Sequence, residues 1–140
     1  MKTTTYHQLR QSTYKKYKLI SKIHCPYFRK QIHFTSQGFW HLIYTGRNKP
    51  RDKKTQKLRL KLLNQAVKVI KTTNTLQEYQ KIPYKNIYFY GFIAIIDGWK
   101  IKVIVKKRGK GKLVFWSVIP NWTTNNKRDR LLHKGNMEID

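Results

Sequence analysis

The chain is poor in acid. Six Asp and Glu stand against 31 Lys and Arg in 140 residues, a formal net charge of +25. The carboxylates are Asp52, Glu78, Asp97, Asp129, Glu138 and Asp140, and no two are neighbours in sequence before the last three residues. A glycosidase needs a pair of carboxylates, and a magnesium-dependent nuclease or polymerase needs a cluster of them, so this scatter argues against both. Cys25 stands alone, which excludes a disulfide framework and a thiolate zinc cluster. The longest apolar run, 87–96, is too short for a helix that crosses a bilayer. The first residues, MKTTTYHQLR, lack the apolar centre of a signal peptide. The expectation is a cytoplasmic protein with no membrane partner and no metal or other cofactor.

Charge of one sign at this level repels itself and calls for a polyanionic partner, nucleic acid first among them. Basic residues interleaved with aromatics on extended segments suit bases and phosphates better than lipid headgroups. With 39% hydrophobic and 14% aromatic residues the chain is expected to fold. Its length fits one domain over 1–122, with a core at about 27–122, followed by a polar basic tail over 123–140.

The rest is organised around 87–120, which reads as three antiparallel strands. Asp97-Gly98 between two apolar runs is the signature of a two-residue hairpin turn, whose central residues need positive φ. That turn sets Ala94 against Ile101, Phe92 against Val103 and Tyr90 against Val105 on one face. The other face carries Gly91, Ile93 and Ile95 beside Lys100, Lys102 and Lys106. Arg108-Gly109-Lys110-Gly111 forms the second turn; closed symmetrically, it places Lys102 opposite Ser117. The sheet is expected to have one greasy face and one solvated basic face, with function on the basic one.

Helical segments precede the sheet. Tyr6, Leu9, Thr13, Tyr17 and Ile20 repeat at helical spacing, and a helix is expected to run until just before Pro26. Residues 27–34 read as extended. A short helix follows Thr35 as N-cap, with Phe34 and Phe39 placed as a hydrophobic staple and Gly46 at its C-terminal end. Residues 52–71 give the strongest helix, capped by Asp52 and lined by Leu58, Leu62, Leu63, Ala66, Val67 and Ile70. Residues 76–85 read as a connector. The fold class is therefore α+β: N-terminal helices, then an antiparallel β-meander, with the helices packed on one sheet face.

Three loose motifs sit on this layout. GFWHL at 38–42 opens the second helical region, RLKLL at 59–63 lies in the leucine-rich helix, and SVIP at 117–120 ends the last strand. In order and motif the chain, over roughly 30–122, resembles the barnase/EndoU/colicin/RelE-like group of small ribonucleases, in particular its phage- and toxin-associated members. The resemblance implies a metal-independent endoribonuclease of the toxin type that uses the RNA 2′-hydroxyl as nucleophile and leaves a 2′,3′-cyclic phosphate. It implies RNA as partner, tRNA or ribosome-bound mRNA included, and an acidic antitoxin or immunity protein. By position it makes His41 the general base or acid and Ser117 the hydroxyl that positions the phosphate. The arginine role falls on Arg47, Arg51 or Arg59, and Lys102 joins it in stabilising the phosphorane. Some relatives rely on Lys and Tyr, which keeps Lys102, Lys106 and Tyr90 open as candidates. Arg59, Tyr90, Lys100, Lys106, Arg108 and Lys110 are the expected RNA contacts. The chain has no glutamate at the positions where some members carry their base. A non-catalytic nucleic-acid-binding module accounts for charge and aromatics equally well, and a membrane-active basic protein is a further alternative.

Overall fold

The computed structural model describes residues 5–45, 49–120, 137, 138 and 140. In chain order the elements are α1 (Tyr6–Ile20), β1 (Lys22–Cys25), β2 (Lys30–His33), α2 (Ser36–Ile43), α3 (Lys53–Lys61), α4 (Leu63–Thr72), β3 (Glu78–Ile82), β4 (Ile87–Ile96), β5 (Trp99–Arg108) and β6 (Leu113–Ile119). A single turn of 3₁₀ helix, Pro83–Lys85, joins β3 to β4. One sheet holds all six strands in the order β1-β2-β6-β5-β4-β3. Every neighbouring pair is antiparallel except β2 with β6. The class is α+β, as expected, on a wider and mixed sheet. No helix among the described residues is long and apolar enough to cross a membrane.

The Asp97-Gly98 hairpin forms as read, with φ of 52° and 80°, and it fixes the ladder from Ile96 opposite Trp99 to Ile87 opposite Arg108. The second turn corrects the expected register. Ile104, not Lys102, lies opposite Ser117, and Lys102 pairs with Ile119. The turn itself closes one residue out, with Lys106 opposite Val114, and a bulge between Ile104 and Val105 adds a second residue. The bulge lets Phe115 and Val118, three residues apart, both enter the core under the helices, which unbroken alternation would forbid.

Several element boundaries differ from the sequence reading. α2 stops at Ile43, where Tyr44 turns extended, and Gly46, expected at its end, lies outside the described residues. The first helix ends at Ile20, where Ser21 takes φ 59°, because Lys22–Cys25 pairs with β2 and sinks Cys25 into the core. The helix expected over 52–71 breaks at Leu62: Leu60, Leu62 and Leu63 are all buried, a wider arc than one straight helix presents to one core. Asp52 does cap α3, accepting from the Thr55 amide at 2.8 Å. Residues 78–82, read as connector, form the edge strand β3. Its alternation sets Glu78, Gln80 and Ile82 inward against exposed Tyr79 and Lys81, a pattern too polar to announce a strand.

The helices cover one face. Tyr17, Phe39, Leu42, Leu60, Leu63 and Ile70 pack there on Phe92, Ile101, Val103, Val105, Phe115 and Val118. The opposite face, expected to be a solvated basic surface, is also buried in its middle. Ile82, Ile87, Phe89, Ile104, Trp116 and Ile119 form a second cluster, and Met137 closes it. The expected tail over 123–140 lies outside the described residues up to 136, but Met137, Glu138 and Asp140 dock onto this face, and Trp116 Nε1 donates to the Met137 carbonyl at 3.2 Å.

β2 pairs with β6 only at Leu113 and Val114. Beyond that point α2 packs along β6, and Gly38 makes the approach possible. A Cβ at Gly38 would lie 2.5 Å from the Phe115 carbonyl oxygen and 2.4 Å from the Tyr17 hydroxyl. By helix propensity alone Gly38→Ala would stabilise by about 1 kcal/mol. The clash with main chain reverses the sign, and a net loss of roughly 2–3 kcal/mol is expected in urea melts, with Gln37→Ala on the exposed side near neutral.

Candidate active site

Five residues read from the sequence as site candidates meet at the junction of α2, α3 and the central strands: His41, Arg51, Arg59, Lys102 and Ser117. His41 comes from α2, Arg51 from the loop before α3, Arg59 from the last turn of α3, Lys102 from β5 and Ser117 from β6. His41, Arg59, Lys102 and Ser117 are buried, at 3%, 6%, 1% and 0% exposure, so none sits on a solvated surface as expected. Buried cations need partners, and here they share oxygen atoms.

The main-chain oxygen of Asp140 is the focus. Arg59 donates to it at 2.6 Å, Arg51 at 3.1 Å and the Ser117 hydroxyl at 3.0 Å. Arg59 also donates to Ser117 Oγ at 2.8 Å, so arginine and serine hold each other in place. Arg59 Nε is buried and has no hydrogen-bond acceptor among the described residues. Beside this group the Lys102 ammonium pairs with the Glu78 carboxylate. Gly91, opposite both Glu78 and Ile104 in the sheet, leaves the space for that pair: a Cβ there would lie 3.1 Å from Lys102 Cε and from Glu78 Cβ.

His41 lies against the same arginine. Arg51 Nε donates to the His41 carbonyl at 3.1 Å, and its terminal nitrogen lies 3.3 Å from His41 Nε2. A guanidinium only donates, so Nε2 is the acceptor and Nδ1 carries the proton. The ring stacks on Trp116 with centroids 4.3 Å apart, and Lys106 lies 4.1 Å above the same indole. Burial, followed by the charges of Arg51, Arg59 and Lys106, pushes the His41 pKa down to about 3, and the imidazole is neutral at physiological pH. Burial and the neighbouring Arg51 lower Arg59 to about 9, while burial brings Arg51 to about 10; both remain cations at neutral pH. Burial pushes the Asp140 side chain up from the usual carboxylate range, with Lys102, Arg59 and Arg51 pulling the other way.

The remaining candidates are spread out. Lys106 is half-buried, and burial lowers its pKa, helped by Arg108. Arg108 and Lys110 are exposed at the second turn, and Lys100 is half-buried two residues beyond Lys102. Tyr90 is on the helix-side face, edge-on to Phe28 at 4.9 Å, away from the cluster. Arg47 lies outside the described residues. Glu78, Trp116 and Asp140 were not foreseen as parts of the site. Glu78 is hidden in the polar edge strand, and the placement of Asp140 has no local signal at all. Glu78 and Asp140, far apart in sequence, do influence one another in space. Among the described residues no three His, Cys, Asp or Glu side chains gather in a metal-binding arrangement.

In comparisons with known proteins, no family model matches the chain, and neither the curated proteins nor the solved structures give a significant match.

The chemistry of the cluster is that of an anion site: two fixed guanidinium groups and a hydroxyl converge on one oxygen, with a neutral imidazole alongside. Its cost shows in acid. The folded protein resists a proton at His41 that the unfolded chain accepts near pH 6.5, so stability falls as pH drops from about 6.5 toward about 3. Asp140, with its raised pKa, acts in the opposite sense and offsets part of this loss. Urea unfolding at pH 7 and pH 4.5 should show His41→Gln losing about 2–3 kcal/mol less stability than the wild type over that interval.

Proposed function

We propose that the protein is a metal-independent endoribonuclease of the barnase/EndoU/colicin/RelE-like kind, with the scissile phosphate bound where Arg51, Arg59 and Ser117 now hold the Asp140 oxygen. The observation that carries this reading is the convergence of two arginines and a hydroxyl on a single oxygen within reach of a neutral histidine. The Nε of Arg59, which has no acceptor among the described residues, suits the extra oxygens of a phosphate.

In the proposed reaction His41 Nε2 accepts the proton of the RNA 2′-hydroxyl. The 2′-oxygen forms a bond to phosphorus as the bond to the 5′-oxygen breaks, leaving a 2′,3′-cyclic phosphate and a 5′-hydroxyl. Arg51 and Arg59 stabilise the charge that develops on the phosphorane, and Ser117 orients it. A bound phosphate draws Arg51 away from Nε2 and raises the basicity of the imidazole by its negative charge. The Lys106 ammonium, made more acidic by burial, supplies the proton for the departing 5′-oxygen. Substrate must displace Met137, Glu138 and Asp140 from the sheet, so those residues compete with RNA for the site. The same reading places the protein in the cytoplasm and calls for an acidic inhibitor that covers the basic surface.

One observation favours a second reading. The cluster is closed to solvent and His41 Nε2 already faces Arg51, an arrangement that a nucleic-acid-binding module with a rigid charged core would also have. Incubation with total RNA and tRNA in excess EDTA separates the two. The ribonuclease yields cyclic phosphate ends, loses roughly 10²–10⁴-fold in rate in His41→Ala and about 10²–10³-fold in Arg59→Ala, and gains kcat/KM when residues 137–140 are removed. Absence of cleavage by both the full chain and the shortened one leaves the binding module.

A further inference from the structure

On the flank of α2 away from His41, a cavity of about 890 Å³ opens between α1 and α2. Its walls are aromatic and its rim is basic. Tyr14 and Trp40 are 41% and 48% exposed there, while Phe39 forms the buried floor beneath Tyr14, edge-on at 4.9 Å. Arg10, Lys15 and Lys18 line the cavity, and among the described residues no Asp or Glu does. The rings are held in place. Trp40 stacks at 4.1 Å on Tyr44, which supports the indole from one side, and the Lys18 ammonium lies 5.3 Å from the centre of the Tyr14 ring.

We infer that this groove is a binding site for single-stranded nucleic acid, with unpaired bases stacked on Trp40 and Tyr14 and the backbone phosphates carried by Arg10, Lys15 and Lys18. Rigid exposed rings alternating with cations are what a base-stacking platform needs, and a purely apolar partner would leave the three cations desolvated without a counter-charge. The volume is that of a ligand cleft, too large for a packing defect. Base stacking requires splayed, unpaired bases, so the groove selects single strands over duplex. As a groove that feeds the proposed cleavage site it rests on that reading and deepens it by naming the form of the substrate; as a binding site it stands whether or not the protein cleaves.

The test is the affinity of the full chain for a fluorescent single-stranded oligodeoxynucleotide, which lacks the 2′-hydroxyl and cannot be cleaved by that route, measured beside a duplex of the same sequence and beside poly-glutamate. Trp40→Ala and Tyr14→Ala alter exposed positions, and each should weaken single-strand binding about fivefold or more while leaving duplex binding unchanged. Lys15→Gln with Lys18→Gln should flatten the dependence of log K on log salt by about 0.7 per lysine removed. Thermal melts of each variant check that the fold is kept, and quenching of Trp40 fluorescence on binding, read as the part of the signal lost in Trp40→Phe, reports contact without any change in stability. Unchanged single-strand affinity in both aromatic variants overturns the inference, as does poly-glutamate competing as well as the oligonucleotide. Binding lost in the groove variants with no cleavage of RNA by any form sustains the groove and removes the ribonuclease; cleavage with groove variants of normal affinity does the reverse.

Discussion

Three donors share one oxygen, and the architecture of this protein is arranged around that constraint. Arg51, Arg59 and Ser117 come from three different parts of the chain, and neither Arg59 nor Ser117 could be buried at its place without an acceptor of matching geometry. Arg59 is held on the core side by α3, Ser117 is turned toward it by the β5–β6 bulge, and Arg51 is pinned from behind by the His41 carbonyl. The two guanidinium groups repel each other, and a single oxygen between them offsets that repulsion. An arrangement of this kind can hold an anion, and here Asp140 of the chain itself neutralises it.

The scarcity of acid makes that neutralisation specific. Of the carboxylates in the described residues, Asp52 caps α3, Asp97 pairs with Lys68, Glu138 with Lys85, Glu78 with Lys102, and Asp140 enters the cluster. Each described carboxylate has an assigned place, which leaves the outer cations of α1 and the second turn without counter-charge among the described residues. The exposed pairs contribute little at physiological salt. Glu78 is different, because it compensates a lysine with almost no access to water, and β3 is recruited to the sheet edge in delivering it.

Local chemistry was legible in the sequence; long-range closure was not. Asp97-Gly98 announces its turn because the dihedral demand falls on those two residues alone. The helical stripes of α1, α2 and α4 are legible for the same reason. The β5–β6 register depends on how the looser turn closes and on a bulge beside Phe115 and Val118, and nothing in Arg108-Gly109-Lys110-Gly111 encodes either. Lys102 alternates with Ile101 and Val103 as a surface lysine would, and its burial is compensated by Glu78, with Asp140 nearby, both from distant parts of the chain. Hence the candidate residues His41, Arg51, Arg59, Lys102 and Ser117 do come together, although the reason given for their meeting, an open basic face with Lys102 beside Ser117, does not hold.

α2 links the two regions of interest because of its period. Successive residues on a helix diverge by about 100°, so Phe39 and Trp40 can face the groove while His41 turns to Trp116 and the arginines. The helix cannot shift along β6 to serve one side without disturbing the other, since Gly38 locks it against the Phe115 carbonyl and the Tyr17 ring packs against Phe39. A strand of nucleic acid stacked on Trp40 would thus lie on a rigid helix one residue removed from the imidazole. The element that would hold the substrate and the element that would act on it are then the same eight residues, fixed to the sheet at one glycine.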